Sequence, residues 1–239
     1  MTRRPADCLT GAERMRLLRV MMLARVAEQR ARLFLDRSAG AAPAARWRDA
    51  IGAGAAAALG PYDRLIAPGR YLAAHAGRRA GSVGGRSAAA DLVPMAVGTA
   101  LAIAERGSGG VVATLLDEGA MASERWCESL DLATARQLPL VLVVEAAARP
   151  RLSEPVDGAD PEAVLTAVRA AVERARRGAG PTIVVCVTPR TAPAGRGPRD
   201  LEVALCDPIE LYAGRLLGVG VPRREIDAVL QEVEEEVVA

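Results

Sequence analysis

Two short apolar runs, Val111 to Leu116 and Leu138 to Val144, constrain this chain more than any other feature. Each stops at acid: the first at Asp117-Glu118-Gly119, the second at Glu145. Between them Trp126, Leu130 and Ala133 or Thr134 recur at the spacing of an amphipathic helix. Two buried strands joined by about twenty residues of helix make a βαβ unit, which requires parallel strands and a right-handed crossover. In such sheets ligands sit beyond the carboxyl ends of the strands. Both acidic tips fall on that edge, so chemistry is expected there. Acids just before a helix also serve as plain caps that complement its dipole. Pattern alone leaves both roles open.

With 239 residues the chain has room for one large α/β domain or two small ones, with a sizeable core. Hydrophobic residues make up 51% but aromatics only 3%, so the interior must pack helices closely through small side chains. A net charge of +2 gives no strong footprint for nucleic acid or an anionic membrane. Lysine and asparagine are absent, and His75 is the single histidine. That excludes a Schiff-base or P-loop lysine and leaves one imidazole for acid–base work. Cys8, Cys127, Cys186 and Cys206 stand far apart, without metal-ligand or redox-pair spacing, as expected of thiols in a reducing cytoplasm. No apolar run reaches the length of a membrane span, and no signal-peptide pattern opens the chain. A soluble, cytoplasmic protein is expected.

Residues 1–9 read as a loose arm. Thr10-Gly11-Ala12-Glu13 fits a capping box that opens a helix running to about Asp36. Leu17, Leu18, Met21 and Met22 supply its apolar surface, and its arginines a wetter face. A small-residue linker at 38–45 leads to a helix from Arg46 that Gly60-Pro61 stops. Gly52, Gly54 and the alanines of that helix leave room for another backbone. Pro68-Gly69-Arg70-Tyr71 reads as a turn. The glycine-rich, basic segment 76–87 suits a phosphate cradle of backbone amides, with Arg70, Arg78, Arg79 or Arg86 nearby, or a surface loop. Leu92 to Arg106 is an alanine-rich helix. Asp160-Pro161-Glu162 starts a helix that ends at Gly178, and Pro181 to Val187 reads as a further strand. Residues 189–200 form a loop, Asp207-Pro208 starts another helix, and Pro222 opens a last, acidic one.

In this order the segments resemble the alpha subunit of the thiamine-diphosphate-dependent first component of 2-oxo acid dehydrogenase complexes, the pyruvate and branched-chain type. LLRVMMLARVAEQRARLF, AIGAGAAAALGPYDRLI and LVPMAVGTALAIAERG are similar to that family's early blocks. GVVATLLDEGA, ESLDLATARQLPLVLVVE, VDGADPEAVLTAVRAAVERARRGAGPTIVV and CDPIELYAGRLL resemble the later ones, in the same order. The resemblance implies an α/β, thiamine-diphosphate-binding fold, with a central parallel sheet flanked by helices. It implies one domain over residues 1–239, with the arm at 1–9 and C-terminal helices at 207–239. The implied chemistry is oxidative decarboxylation of a 2-oxo acid, with thiamine diphosphate and magnesium as cofactors and an active site shared with a beta subunit.

The family's cofactor motif is Gly-Asp-Gly at one strand end and Asn-Asn at the next, which gives magnesium oxygen ligands and leaves room for diphosphate. Here Asp117-Glu118-Gly119 stands in the first place and Ala146-Ala147 in the second. The diphosphate-holding Tyr-Arg pair is Gly69-Arg70. Carried over residue by residue, the cofactor contacts fall on Arg70, Glu118 and Gly119, with Glu118 as the metal ligand and no residue assigned as catalytic. The family's histidine loops are changed, residues 188–192 reading TPRTA, and SAAADL replaces the glycine and glutamine block. His75 matches neither family histidine and reads as an ordinary helix or loop residue.

The expected function is an alpha-subunit-like component that is non-catalytic or weakly active, a pseudoenzyme. It would support a beta-type dehydrogenase subunit, or a homologous alpha subunit, in a hetero- or homo-oligomer. Two alternatives are an active subunit binding thiamine diphosphate and magnesium through Glu118 and Arg70, and a binder of another phosphorylated small molecule.

Overall fold

The computed structural model describes residues 9–34, 47–69, 71, 82–85, 89–147, 154–188 and 207–238. The capping box forms as predicted. Thr10 N and Oγ1 donate to Glu13 Oε2 at 2.8 and 2.9 Å, and Glu13 N donates to Thr10 Oγ1 at 3.2 Å. This opens α1 (Gly11–Phe34), followed by α2 (Trp47–Ala57), β1 (Arg64–Pro68), β2 (Ser82–Gly85) and α3 (Ala89–Glu105). Next come β3 (Val112–Asp117), a 3-10 turn (Glu118–Ala122), α4 (Glu124–Ala135) and β4 (Leu140–Ala146). The chain goes on through β5 (Val156–Asp157), α5 (Pro161–Arg176), β6 (Thr182–Val187), α6 (Pro208–Gly218) and α7 (Arg223–Val238).

The strands form one parallel sheet in the order β2-β1-β3-β4-β6-β5. The two apolar runs are its centre, β3 beside β4, with Asp117 opposite Glu145. The α/β class and the parallel sheet are as expected. Strands β1, β2 and β5 are not. β1 reads RLIAP, too short to show a period, and it runs into the expected turn, which Tyr71 N closes on Pro68 O at 2.9 Å. β2 reads SVGG and lies on the sheet's edge, where glycine-rich backbone is tolerated. It overturns the loop reading for residues 82–85 of the glycine-rich segment. The rest of that segment, with Arg78, Arg79 and Arg86, lies outside the described residues.

Helices cover both faces. Ile51 and Ala55 of α2 and Val164, Val168 and Val172 of α5 pack on Leu65, Val141 and Val143. On the other face Val93, Ala96 and Ala100 of α3, with Trp126 of α4, pack on Val112, Leu140 and Leu142. An outer layer of α1, α6 and α7 lies on α2 and α5 through Leu18, Met21, Ala53, Leu165, Tyr212 and Val233. Gly54 makes the α2–α5 approach possible: a Cβ there would meet Pro161 O at 2.6 Å and Val164 Cβ at 2.8 Å. The close partner of this small-residue helix is thus α5 of the same chain.

The arginines of α1 do not form a uniformly wet face. Arg25 turns inward and donates from Nε and Nη2 to Asp49 Oδ2 at 2.9 and 2.6 Å, and from Nη1 to Asp207 Oδ2 at 2.6 Å. Burial opposes its charge, but the hydrogen bond it donates to Asp207 and the charges of the two carboxylates outweigh it and hold its pKa above the ordinary value. Arg14 pairs with Glu162 at 3.0 Å. Helix periodicity places a residue on a face but does not show which carboxylates another helix brings to it.

At the amino edge of the sheet Asp63, fully buried, ties three segments together. Its carboxylate accepts from Gly60 N at 2.7 Å, Val111 N at 2.8 Å and Arg176 Nη2 at 2.7 and 2.8 Å. Among the described residues no helix is long and apolar enough to cross a membrane.

Candidate functional site

The carboxyl ends of β3, β4 and β6 place Asp117, Glu145 and Cys186 in one row across the sheet. Side chains alternate along a strand, so this row shares the face of Leu115, Val143 and Val184, toward α2 and α5. Glu145 is the hub. Its Oε2 accepts from Arg48 Nε at 2.9 Å and from the Tyr71 hydroxyl at 2.9 Å; that hydroxyl also lies 3.2 Å from Leu116 O. Arg48 comes from the first turn of α2, and the turn after β1 delivers Tyr71, which is fully buried. The guanidinium carbon of Arg48 stands 5.6 Å over the Tyr71 ring.

Burial works against the Arg48 charge, but Glu145 and Tyr71 outweigh it and raise its pKa. The cation is therefore held and neutralised inside the chain. Beside it, burial, then the charges of Glu145 and Asp157, push the Cys186 thiol up to about 12. At neutral pH that thiol is protonated and a poor nucleophile.

Glu118 opens the 3-10 turn, and its Oε2 accepts from Ala147 N at 3.1 Å. One carboxylate thus joins the tip of β3 to the tip of β4. The capping role left open for Asp117 and Glu118 falls elsewhere: Asp117 makes no side-chain cap bond to the turn, and Ser123 caps α4 by accepting from Trp126 N at 3.2 Å. A Cβ on Gly119 would lie 3.2 Å from Asp117 Oδ1, so this glycine keeps room for its acidic neighbour.

Magnesium wants a near-octahedral set of oxygens at about 2.1 Å. Ala146 and Ala147 bring no side-chain oxygen, and Ala146 O already accepts from Thr188 N at 3.0 Å. Glu118 is turned to a main-chain amide, and no three His, Cys, Asp or Glu side chains converge on a metal-sized site among the described residues. These residues do not fit a magnesium diphosphate.

Of the residues that sequence assigns to the cofactor, Glu118 and Gly119 stand together at the tip of β3, and Arg70 lies outside the described residues, as does His75. Sequence reading missed Arg48 and Tyr71. Tyr71 follows Arg70 in the expected turn and carried a signal by position. Arg48 carried none, being one of 31 arginines in a chain without lysine.

The family model of the dehydrogenase E1 component matches residues 152–196, the segment that carries β5, α5 and β6. No curated protein matches the chain. Among solved structures, an X-ray structure of a protein from Mycobacterium smegmatis, described as a candidate thiamin diphosphate-dependent enzyme, is similar at 18% identity and a TM-score of 0.44. The match covers 60% of this chain and 32% of that one. Over residues 152–196 the chain resembles the dehydrogenase E1 component, the family its segment order points to.

Proposed function

We propose that this chain is an alpha-subunit-like component of a thiamine-diphosphate-dependent 2-oxo acid dehydrogenase that supports a beta-type partner without holding the cofactor itself. The carrying observation is the hydrogen bond from Ala147 N to Glu118 Oε2, at 3.1 Å. In the family this chain resembles, the tip carboxylate faces the metal ion. Here it is bonded to the neighbouring strand's backbone, and the alanines beside it offer no ligand in exchange. Arg48, Tyr71 and Glu145 then act as a lock that holds α2 and the turn after β1 against the sheet. No step of decarboxylation is assigned to these residues. We read residues 1–239 as one unit, from the arm at 1–9 to the helices of 207–239.

The partner reading draws support from α3. Its inner face packs on the sheet, while Pro94, Met95, Gly98 and Ala102 face outward between Asp91 and Glu105. Small side chains there let a second helix approach closely, in contrast to α2, whose Ala50, Ala53, Ala55 and Ala56 are already buried within the chain. Co-expression with a beta-type subunit, followed by affinity capture and light scattering, tests this. A stoichiometric complex is expected; a monomer that captures neither a beta-type subunit nor a homologous alpha subunit contradicts it.

A further inference from the structure

We propose that the recess between the tip of β5, the start of α5 and the side of α6 binds a small aliphatic amine as its ammonium ion. It lies beyond the edge strand of the sheet, at the carboxyl end where such sheets place ligands. The proposal rests on neither the cofactor nor the partner reading. Asp157, Ala159, Asp160 and Pro161 form one wall, and Leu211, Tyr212 and Arg215 of α6 the other. The recess holds about 250 Å³, which suits a ligand of a few heavy atoms rather than a drug-sized one. Packing within the chain does not use up this wall: Leu211 is 49% exposed, and Asp157 and Arg215 are also exposed.

The polar groups of the recess select the ligand's charge. Asp160 is spent twice: its Oδ1 caps α5 by accepting from Glu162 N at 3.0 Å, and its Oδ2 accepts from Arg215 Nη1 at 2.6 Å. Asp157 is spent once. Its Oδ1 accepts from Ala159 N at 2.9 Å, and its Oδ2 has no hydrogen bond or ion pair among the described residues. Two carboxylates against one guanidinium leave a net charge of −1, centred on Asp157. An anion finds little here. Arg215 is neutralised by Asp160, the amides of Ala159 and Glu162 are taken, and Pro161 has no N–H. The positive end of the α5 dipole is met by its own cap, Asp160. One open carboxylate oxygen suits the point charge of an ammonium better than the two-pronged guanidinium. The Tyr212 hydroxyl is bonded to Glu162 Oε1 at 3.0 Å, which leaves its ring, with Leu211 and Pro161, as apolar surface for a short hydrocarbon chain.

The test titrates butylammonium into the full chain by calorimetry and by amide NMR. Comparators are butanol (chain without charge), propylguanidinium (forked charge) and Nα-acetyl-lysine amide (the same ammonium on a peptide body). Butylammonium should bind saturably with a Kd on the order of 1 mM, shift the amides of Ala159 and Leu211, and bind more tightly than all three comparators. Asp157→Asn keeps the oxygen that accepts from Ala159 N and removes the charge. It should weaken butylammonium by about tenfold while leaving the circular dichroism of the free protein unchanged. Absence of saturable binding, or binding that leaves the Ala159 and Leu211 amides unmoved, overturns the proposal. Equal binding of butanol or propylguanidinium overturns it too, as does affinity unchanged in Asp157→Asn. Tighter binding of the lysine amide would assign the recess to a partner's side chain instead of a free amine.

Discussion

The two edges of the sheet handle their acids in related but unequal ways. At the amino edge Asp63 is fully buried, and two backbone amides and Arg176 bond to it. At the carboxyl edge Glu145 is held by Arg48 and Tyr71, while the more exposed Glu118 accepts from the Ala147 amide. The first arrangement is a structural clasp. The second lies where α/β sheets place ligands, yet its carboxylates turn to groups of their own chain, as Asp63 does. An edge built to hold a metal diphosphate would aim oxygens and amides outward. This one closes on itself, at Glu145 through Arg48 and Tyr71 and at Glu118 through the Ala147 amide.

Substitutions can break or sharpen that comparison. Asp63→Ala should cost about 3–5 kcal/mol in chemical denaturation, because it orphans two buried amides and the Arg176 cation together. Glu145→Ala should cost about 2–3 kcal/mol, since Arg48 retains some exposure and water can reach part of its charge. If Glu145→Ala proved as neutral as an ordinary surface change, the carboxyl edge would not be locked. Gly54→Ala should cost about 1–3 kcal/mol by pushing α2 off α5, and serves as a packing control away from either edge. Glu118→Gln should cost less than about 1 kcal/mol, because the side chain is exposed and water can replace what the carboxylate gives up.

Thiol chemistry sharpens the same contrast. Cys127 is exposed and Cys186 buried beside Glu145. With its pKa raised from 9.0 to about 12, Cys186 should alkylate far more slowly than Cys127 at pH 8, as peptide mapping of the native protein would show. The linkage runs one way. Folding favours the neutral thiol, so its stabilising contribution is full below pH 9.0 and is lost as pH rises toward about 12. Equal labelling of both cysteines would mean that the row at the strand tips is open to water.

Much of the fold was legible because β3, β4 and β6 are apolar runs long enough to be read and are bounded by helices with clear caps. β1 and β2 escaped notice because one ends in proline and the other is half glycine, so neither shows alternation. At the carboxyl edge the acids were visible as strand-end residues, and Glu118 and Glu145 are indeed brought to neighbouring tips. Their partners were not visible. Arg48 lies nearly a hundred residues from Glu145 in a chain crowded with arginine, and only the packing of α2 on the sheet brings them together. The inward turn of Arg25 was hidden for the same reason, since its carboxylates sit on α2 and at the start of α6.

The most direct test is titration calorimetry of thiamine diphosphate with magnesium into the purified chain, alone and in complex with a beta-type subunit. A tip closed by the Glu118–Ala147 bond predicts no saturable heat in either case, and none for Glu118→Gln. Micromolar, magnesium-dependent binding to the native chain that Glu118→Gln removes would contradict it.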